Sequence, residues 1–228
     1  MIDPLAGSAW SEPGTVSGFE RSAPNQVLLE FARAELASRG RGRLLDIGCG
    51  AARNAQPLAE IGWDVVGIDL SAPMLRAAVA RAGAGSRAGR QLFALAPMDW
   101  LPIADLSADC IVAHGIWNLA SSGAMFRRAV AEAARVAASG AALFVFTFSR
   151  HTLPPDTQPL AGERFVFTQF SGRPQVFLTE GELVAELDGA GFTLERDRPI
   201  REYNRPTGKT LSTGSVPVIY EGIFRNRR

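Results

Sequence analysis

Two carboxylates stand at the ends of successive apolar runs. Asp46 closes "RLLDIG" just before the turn "GCGAARNA", and Asp69 closes "DVVGIDL" 19 positions after Gly50. Short apolar runs bounded by glycine read as strands. An acid at the end of a buried strand is costly unless the polar groups of a ligand meet it. Gly48 and Gly50 allow the backbone to come close to such a ligand and to adopt positive φ. An acid about 20 residues beyond a glycine turn has the spacing that grips ribose hydroxyls. The pair points to a nucleoside lying across two neighbouring strand ends.

A dinucleotide site would carry G-x-G-x-x-G, with the pyrophosphate on the following helix N-terminus. Here Arg53 holds the third glycine position, and the anionic Asp46 would repel a pyrophosphate. It suits instead a ligand with positive charge at that end, such as the ammonium and sulfonium of S-adenosylmethionine. The whole stretch "LLDIGCGAARNAQPLAEIGWDVVGIDLS" resembles motif I and its successor in class I S-adenosylmethionine-dependent methyltransferases. The resemblance runs from about Leu44 to Ser149. "GCGAARNA" is also similar to the small-molecule branch that holds the tellurite-resistance and thiopurine methyltransferase-like proteins.

The resemblance implies S-adenosylmethionine as cofactor and a small-molecule methyl acceptor as partner. It assigns Asp46 and the Gly48 backbone to the ammonium, with Gly50 leaving room for the ligand. Asp69 would chelate the ribose hydroxyls and Leu70 would flank the adenine. In "APMDWLP", Met98 would pack on the ring, Asp99 accept from its exocyclic amine, and Trp100 offer its backbone N–H. In "AHGIWNL", His114 and Gly115 would line the methionine part, and Trp117 would face the acceptor.

Methyl transfer is an in-line displacement, so alignment is the main task of such a site. Two histidines are the obvious bases. His114, at a strand end, is the candidate catalytic residue, although whether its side chain or only its backbone is used stays open. His151, in "FSRHTLPPD", reads as a loop histidine. Trp10, Phe19, Trp117, Phe170 and Tyr203 are candidate acceptor-side residues, with Phe165 and Phe167 beside them. An aromatic cover of this kind suits a small, flat or apolar acceptor, methylated at sulfur or oxygen, with nitrogen open. The (N/D)-P-P-(Y/F) signature of base-amine methylation is absent, and "TLPPD" follows the fifth strand instead of the fourth.

Strand and helix patterns alternate from "RLLDIG" to "AALFVFTFS", which argues for a doubly wound, mostly parallel α/β sheet of the Rossmann-like kind. A helix is expected from Asn25 to about Ser38. Another is opened by Ser71 with Pro73 in its first turn, and a third runs from Ser122 to about Ala138, ending near Gly140. After the fifth strand, Arg164 to Leu178 reads as a hairpin insertion, and Thr179 with Glu182 as a capping box. Two extended segments, joined by a glycine- and threonine-rich loop, would form an antiparallel edge pair. The expectation is one domain over residues 1–228, with 1–40 as N-terminal cover and helix and 150–178 as acceptor-side insertion.

With 46% apolar residues the chain can build a substantial core, and its net charge of +1 does not favour a nucleic-acid partner. "SRGRGR" and the final "FRNRR" read as a solvated loop and a frayed end. Cys49 and Cys110 lie in apolar runs without metal-ligand spacing, so no metal site is expected and a reducing, cytoplasmic setting fits. "RAGAGSRAGR" reads as a surface connection. The N-terminus lacks the basic start and apolar core of a signal peptide, and no apolar run reaches the roughly 20 residues of a membrane helix. Oligomeric state is not legible. Two rival readings remain: a nicotinamide-dependent oxidoreductase on a similar sheet, and a non-catalytic nucleoside-binding module.

Overall fold

The computed structural model describes residues 2–84, 88–205 and 216–227. Five parallel strands, β1 (Arg43–Ile47), β2 (Asp64–Asp69), β3 (Gln91–Leu95), β4 (Ala108–His114) and β5 (Ala137–Phe148), lie in the order β3-β2-β1-β4-β5. Strand order reverses between β1 and β4, which creates a switch point above their carboxyl ends. On the far side of β5, β10 (Ile219–Asn226) runs antiparallel and pairs with both β8 (Phe192–Leu194) and β9 (Arg201–Tyr203). The doubly wound sheet with an antiparallel edge is therefore as the alternation implies.

Successive side chains point to opposite faces. Leu44, Val112 and Phe144 pack with Phe31 of α2 (Gln26–Arg39) and Leu58 of α3 (Ala55–Ile61). Leu45, Ile111 and Val145 pack on the other side with Phe126 of α5 (Gly123–Val136) and Leu183 of α6 (Glu180–Gly189). Side-chain caps start these helices: Asn25 and Ser122 accept from Leu28 N and Met125 N, and Thr179 forms the full capping box with Glu182. Ser71 Oγ accepts from Met74 N at the start of α4 (Ala72–Ala84), against which α1 (Pro13–Arg21) packs. After β5, β6 (Val166–Phe167) and β7 (Gln175–Val176) form the expected hairpin as a separate two-stranded sheet.

Three expectations need correction. The helix before β5 stops at Val136 and the strand begins at once; Gly140, at φ 66°, lies inside β5 where the register against β4 shifts between Ala108 and Cys110. The glycine marks a bulge and not a helix end. The final basic cluster is no frayed end, since Phe224, Arg225 and Asn226 belong to β10. The Arg225 guanidinium forks onto Glu35 at 2.7 and 2.8 Å, and its Nε donates to Glu195 Oε1 at 3.0 Å. Nor is "SRGRGR" merely a loop, because Arg39 closes α2, donating to Gly140 O at 2.9 Å, and Arg43 opens β1. Counting charges along a chain cannot see partners that the sheet brings together. Residues 85–87 of the small-residue patch and the loop at 206–215 lie outside the described residues. Among the described residues no helix is long and apolar enough to cross a membrane.

Arg225→Met should remove the fork and leave Glu35 and Glu195 facing one another, lowering the unfolding free energy by about 1–3 kcal/mol in urea titrations. Hydrogen bonding to Arg225 is the main cause that holds Glu35 below its ordinary 4.5. A depressed carboxylate stabilises the fold above that value and loses the effect as pH falls through its folded pKa. The gap between wild type and variant should thus be full above about pH 4.5 and close below it.

Candidate active site

The turn after β1 is tied to the end of β2. Gly48 N and Cys49 N both donate to Ile68 O, at 2.8 and 2.9 Å. Gly48 has φ 73°, and a Cβ there would lie 2.8 Å from the Ile116 side chain, so both backbone conformation and space require glycine. Gly50 N donates to Asp69 Oδ2 at 2.9 Å, and Ser71 N donates to Oδ1 at 2.8 Å. These amides aim the Asp69 carboxylate along the strand ends and oppose the burial that, on balance, raises its pKa.

Asp46 is only 2% exposed, and its carboxylate accepts no hydrogen bond among the described residues. Burial pushes its pKa up to about 7, against the charge of Arg53 and with the repulsion of Asp69. Arg53 lies between the acid and His114. Its Nη1 donates to Ala23 O at 3.3 Å, and its Nη2 is 3.3 Å from His114 Nδ1.

The His114 ring stacks on Phe146, centroids 4.1 Å apart and planes 8° off parallel. Its Nε2 is 3.2 Å from Asn25 Nδ2. Burial first, then the Arg53 charge, push its pKa down to about 3, so the ring is neutral. A neutral imidazole offers one lone pair to the two donors that face it. Asn25, the N-cap of α2, also donates from its backbone N to Asn54 Oδ1 at 3.0 Å and from Nδ2 to Glu221 Oε2 at 2.9 Å. Glu221 Oε1 accepts from Tyr203 OH at 2.8 Å. A continuous polar chain thus runs from Arg53, beside Asp46, across α2 to the antiparallel edge. Arg53, Asn25 and Glu221 were not singled out as site residues. Only Arg53 left a signal, a charged residue in the third glycine position.

Of the residues expected on the adenine side, Met98 is buried in the core and Leu70 is half-buried. Asp99 Oδ2 accepts from Arg128 Nη2 at 2.9 Å and Nε at 3.2 Å. Trp100 is 66% exposed, and its backbone N–H points to Pro97 O at 3.4 Å, closing its own turn. Gly115, expected along the methionine part, has φ 71° and open space where a Cβ would stand. Trp117 is buried against Phe126, ring centroids 6.2 Å apart, and its Nε1 has no acceptor among the described residues.

The expected aromatics form three groups, one of them Trp117 and Phe165 on Phe126. Phe19 touches Trp10 edge-on at 6.0 Å and approaches Gly50, where an added Cβ would lie 3.4 Å away. Ser71 Oγ donates to Trp10 O at 3.0 Å and Asp3 Oδ1 accepts from Ala72 N at 3.1 Å, pinning this segment over the glycine turn. Phe170 instead meets Phe148 and Phe177 at 5.4 and 5.8 Å under the hairpin. Among the described residues no ring contact joins the groups.

Residues 45–145 match a family model described as a methyltransferase domain. The chain is 29% identical to the ubiquinone/menaquinone biosynthesis C-methyltransferase UbiE of Syntrophotalea carbinolica, over 90% of this chain and 91% of that protein. It is 28% identical to the O-methyltransferase resE of Aspergillus sclerotiorum, over 96% and 81%. Among solved structures, a Burkholderia thailandensis 1,6-didemethyltoxoflavin-N1-methyltransferase, with that compound and S-adenosylhomocysteine bound, has a TM-score of 0.63 at 19% identity, covering 90% of this chain and 80% of its own. A Methanosarcina mazei structure described as a SAM-dependent methyltransferase has the same TM-score of 0.63 at 22% identity, covering 82% and 92%.

The buried acid sets a stability test. An ionised Asp46 destabilises the fold, while below about pH 4 it is protonated in both folded and unfolded chains. Asp46→Asn should therefore stabilise the ligand-free protein by about 2–4 kcal/mol near pH 8, a gain that grows from about pH 4 to 7 and then levels. Urea unfolding at a series of pH values checks it.

Proposed function

We propose that this chain, a class I S-adenosylmethionine-dependent methyltransferase, transfers its methyl group to a hydroxyl oxygen on a small aromatic acceptor. Asp46 carries the reading: a buried carboxylate without a hydrogen-bond partner among the described residues, beside a glycine turn at a switch point, calls for a cation. The ammonium of S-adenosylmethionine is such a cation, and Arg53 is too far committed to Ala23 and His114 to replace it. Asp69, aimed by the backbone amides of Gly50 and Ser71, chelates the two ribose hydroxyls. Leu70, Met98, Asp99 and Trp100 line the adenine side. When bound, S-adenosylmethionine supplies a methyl group already activated on a sulfonium.

The chain's own residues then hold and orient. Gly48 and Gly50 admit the ligand close to the backbone, and Trp10 and Phe19 exclude water above the turn. His114 fixes Arg53 beside Asp46 and does not take the acceptor's proton, since its ring is neutral with a pKa near 3 and faces two donors. Phe170, Trp117 and Tyr203 belong to the acceptor side. The apolar surroundings disfavour separated charges, which helps an anionic oxygen meet a sulfonium. Residues 1–40 and 150–178 act as covers on one domain spanning 1–228. The reading places the protein in the cytoplasm, where the two buried free thiols, Cys49 and Cys110, stay reduced.

Oxygen is preferred to sulfur because the fungal relative is an O-methyltransferase. The narrower kinship with tellurite-resistance and thiopurine methyltransferase-like proteins is carried by the "GCGAARNA" turn alone. Transfer to a ring carbon is the second reading, favoured by the likeness to UbiE.

Labelled S-adenosylmethionine offered with phenols, thiols and carboxylic acids should give O-methyl ethers, and NMR of the products separates these from ring-methylated compounds. Calorimetry should show S-adenosylmethionine binding, weakened by at least about tenfold in Asp69→Ala. Binding of a nicotinamide dinucleotide but not S-adenosylmethionine would overturn the reading.

A further inference from the structure

Beyond Phe148, the chain turns over the carboxyl edge of the sheet as a short 3-10 segment, Arg150–Thr152. It is firmly held. Ser149 N donates to Val218 O at 2.8 Å, Arg150 N to Leu178 O at 2.7 Å, and Val218 N to Thr152 Oγ1 at 3.0 Å. His151, at the middle of the segment, places Nδ1 2.5 Å from Glu202 Oε1. Glu202 lies on β9 opposite Tyr220 of β10 and receives Ser149 Oγ at 2.9 Å and Arg205 Nη1 at 3.1 Å. Tyr220 OH stands 3.4 Å from His151 Nδ1.

The charges around this pair are unlike those around His114. Glu202 is mostly shielded, with a side chain 18% exposed. Burial alone would raise its carboxyl, yet hydrogen bonds from His151 and Ser149, with the charges of His151 and Arg205, carry it below the ordinary range. It is an anion aimed at Nδ1. With the ring N–H on Nδ1 held by that anion, the lone pair falls on Nε2, which has no partner among the described residues. The His151 side chain is 42% exposed.

Position matters as much as charge. β10 runs antiparallel to β5, and β9 antiparallel to β10, so the end of β5, the end of β9 and the start of β10 share the sheet edge of Asp46 and Asp69. Within that edge the pair stands at the far side from β1 and β2. Leu153, two residues on, packs with Phe167 and Phe177, and with the half-buried Phe148 and Phe170. A ligand that spans β1 and β2 leaves this end, with its aromatic cluster, for the acceptor.

We propose that His151, oriented by Glu202, is the general base for the acceptor hydroxyl. The inference rests on the oxygen-transfer reading above and adds the group that reading lacks. The acceptor oxygen forms the new carbon–oxygen bond as the carbon–sulfur bond breaks, with its electron pair left on sulfur. The hydroxyl proton passes to His151 Nε2, and Glu202 stabilises the resulting imidazolium; the proton returns to solvent after release. His151 is thus a catalytic residue and Glu202 a positioning residue.

The test uses the full chain, S-adenosylmethionine, and para-substituted phenols of graded acidity, comparing wild type with His151→Gln, His151→Ala and Glu202→Gln. Calorimetric affinity for S-adenosylmethionine should change less than about twofold in the His151 variants. Their kcat for the least acidic phenols should fall by about 100-fold or more at neutral pH. The loss should shrink toward none for phenols already ionised at the assay pH, and on raising the pH. Glu202→Gln should show a smaller loss with the same dependence on acidity. An unchanged rate, or a loss equal across the series, would overturn the assignment. If wild type methylates none of the phenols, the oxygen-transfer reading fails first and takes the base with it.

Discussion

An unneutralised carboxylate in the interior of a folded chain is the constraint from which the rest of the molecule can be understood. Asp46 lies under the switch point, and burial, with the repulsion of Asp69, pushes its pKa up to about 7 against the charge of Arg53. Natural interiors tolerate such a group only where the gain lies outside stability. The surroundings moderate its charge without cancelling it. Arg53 is near enough to lower the pKa but is drawn off toward Ala23 and His114, and the neutral His114 adds no second cation. A nearer arginine would pair with the carboxylate and stabilise the free protein.

That arrangement depends on the sheet more than on the turn. Gly48 and Gly50 shape the backbone, but the fixed points are the amides that bind the turn to Ile68 and Asp69 on the neighbouring strand. The polar chain behind the acid is likewise built from separate elements: an N-cap on α2, a strand end on β4, and a glutamate on β10. Asn25 caps a helix, and the same side chain supplies the amide that links His114 to Glu221.

Local chemistry was legible in the sequence where pattern and spacing carried it. The strand ends with Asp46 and Asp69, the helix starts at Asn25 and Ser122, the Thr179–Glu182 box and the uninterrupted apolar strand before Ser149 all follow from residue type and period. Long-range pairing left no such trace. Nothing along the chain shows that Glu202 will meet His151, or that Arg225 will lie across Glu35, because register between distant strands decides both. Gly140 was misread for a related reason: a glycine after an amphipathic stretch signals a helix end or a bulge equally, and only the neighbouring strand chooses.

β10 carries one further consequence. Tyr220 and Glu221 are adjacent, and a strand sends neighbours to opposite sides. Tyr220 turns toward His151, while Glu221 turns toward Asn25 and Tyr203. One ribbon of backbone therefore orients both side chains, and its ladder with β5 sets the two at once. A slip of a single rung would exchange the faces of Tyr220 and Glu221, so both side-chain networks depend on the same register.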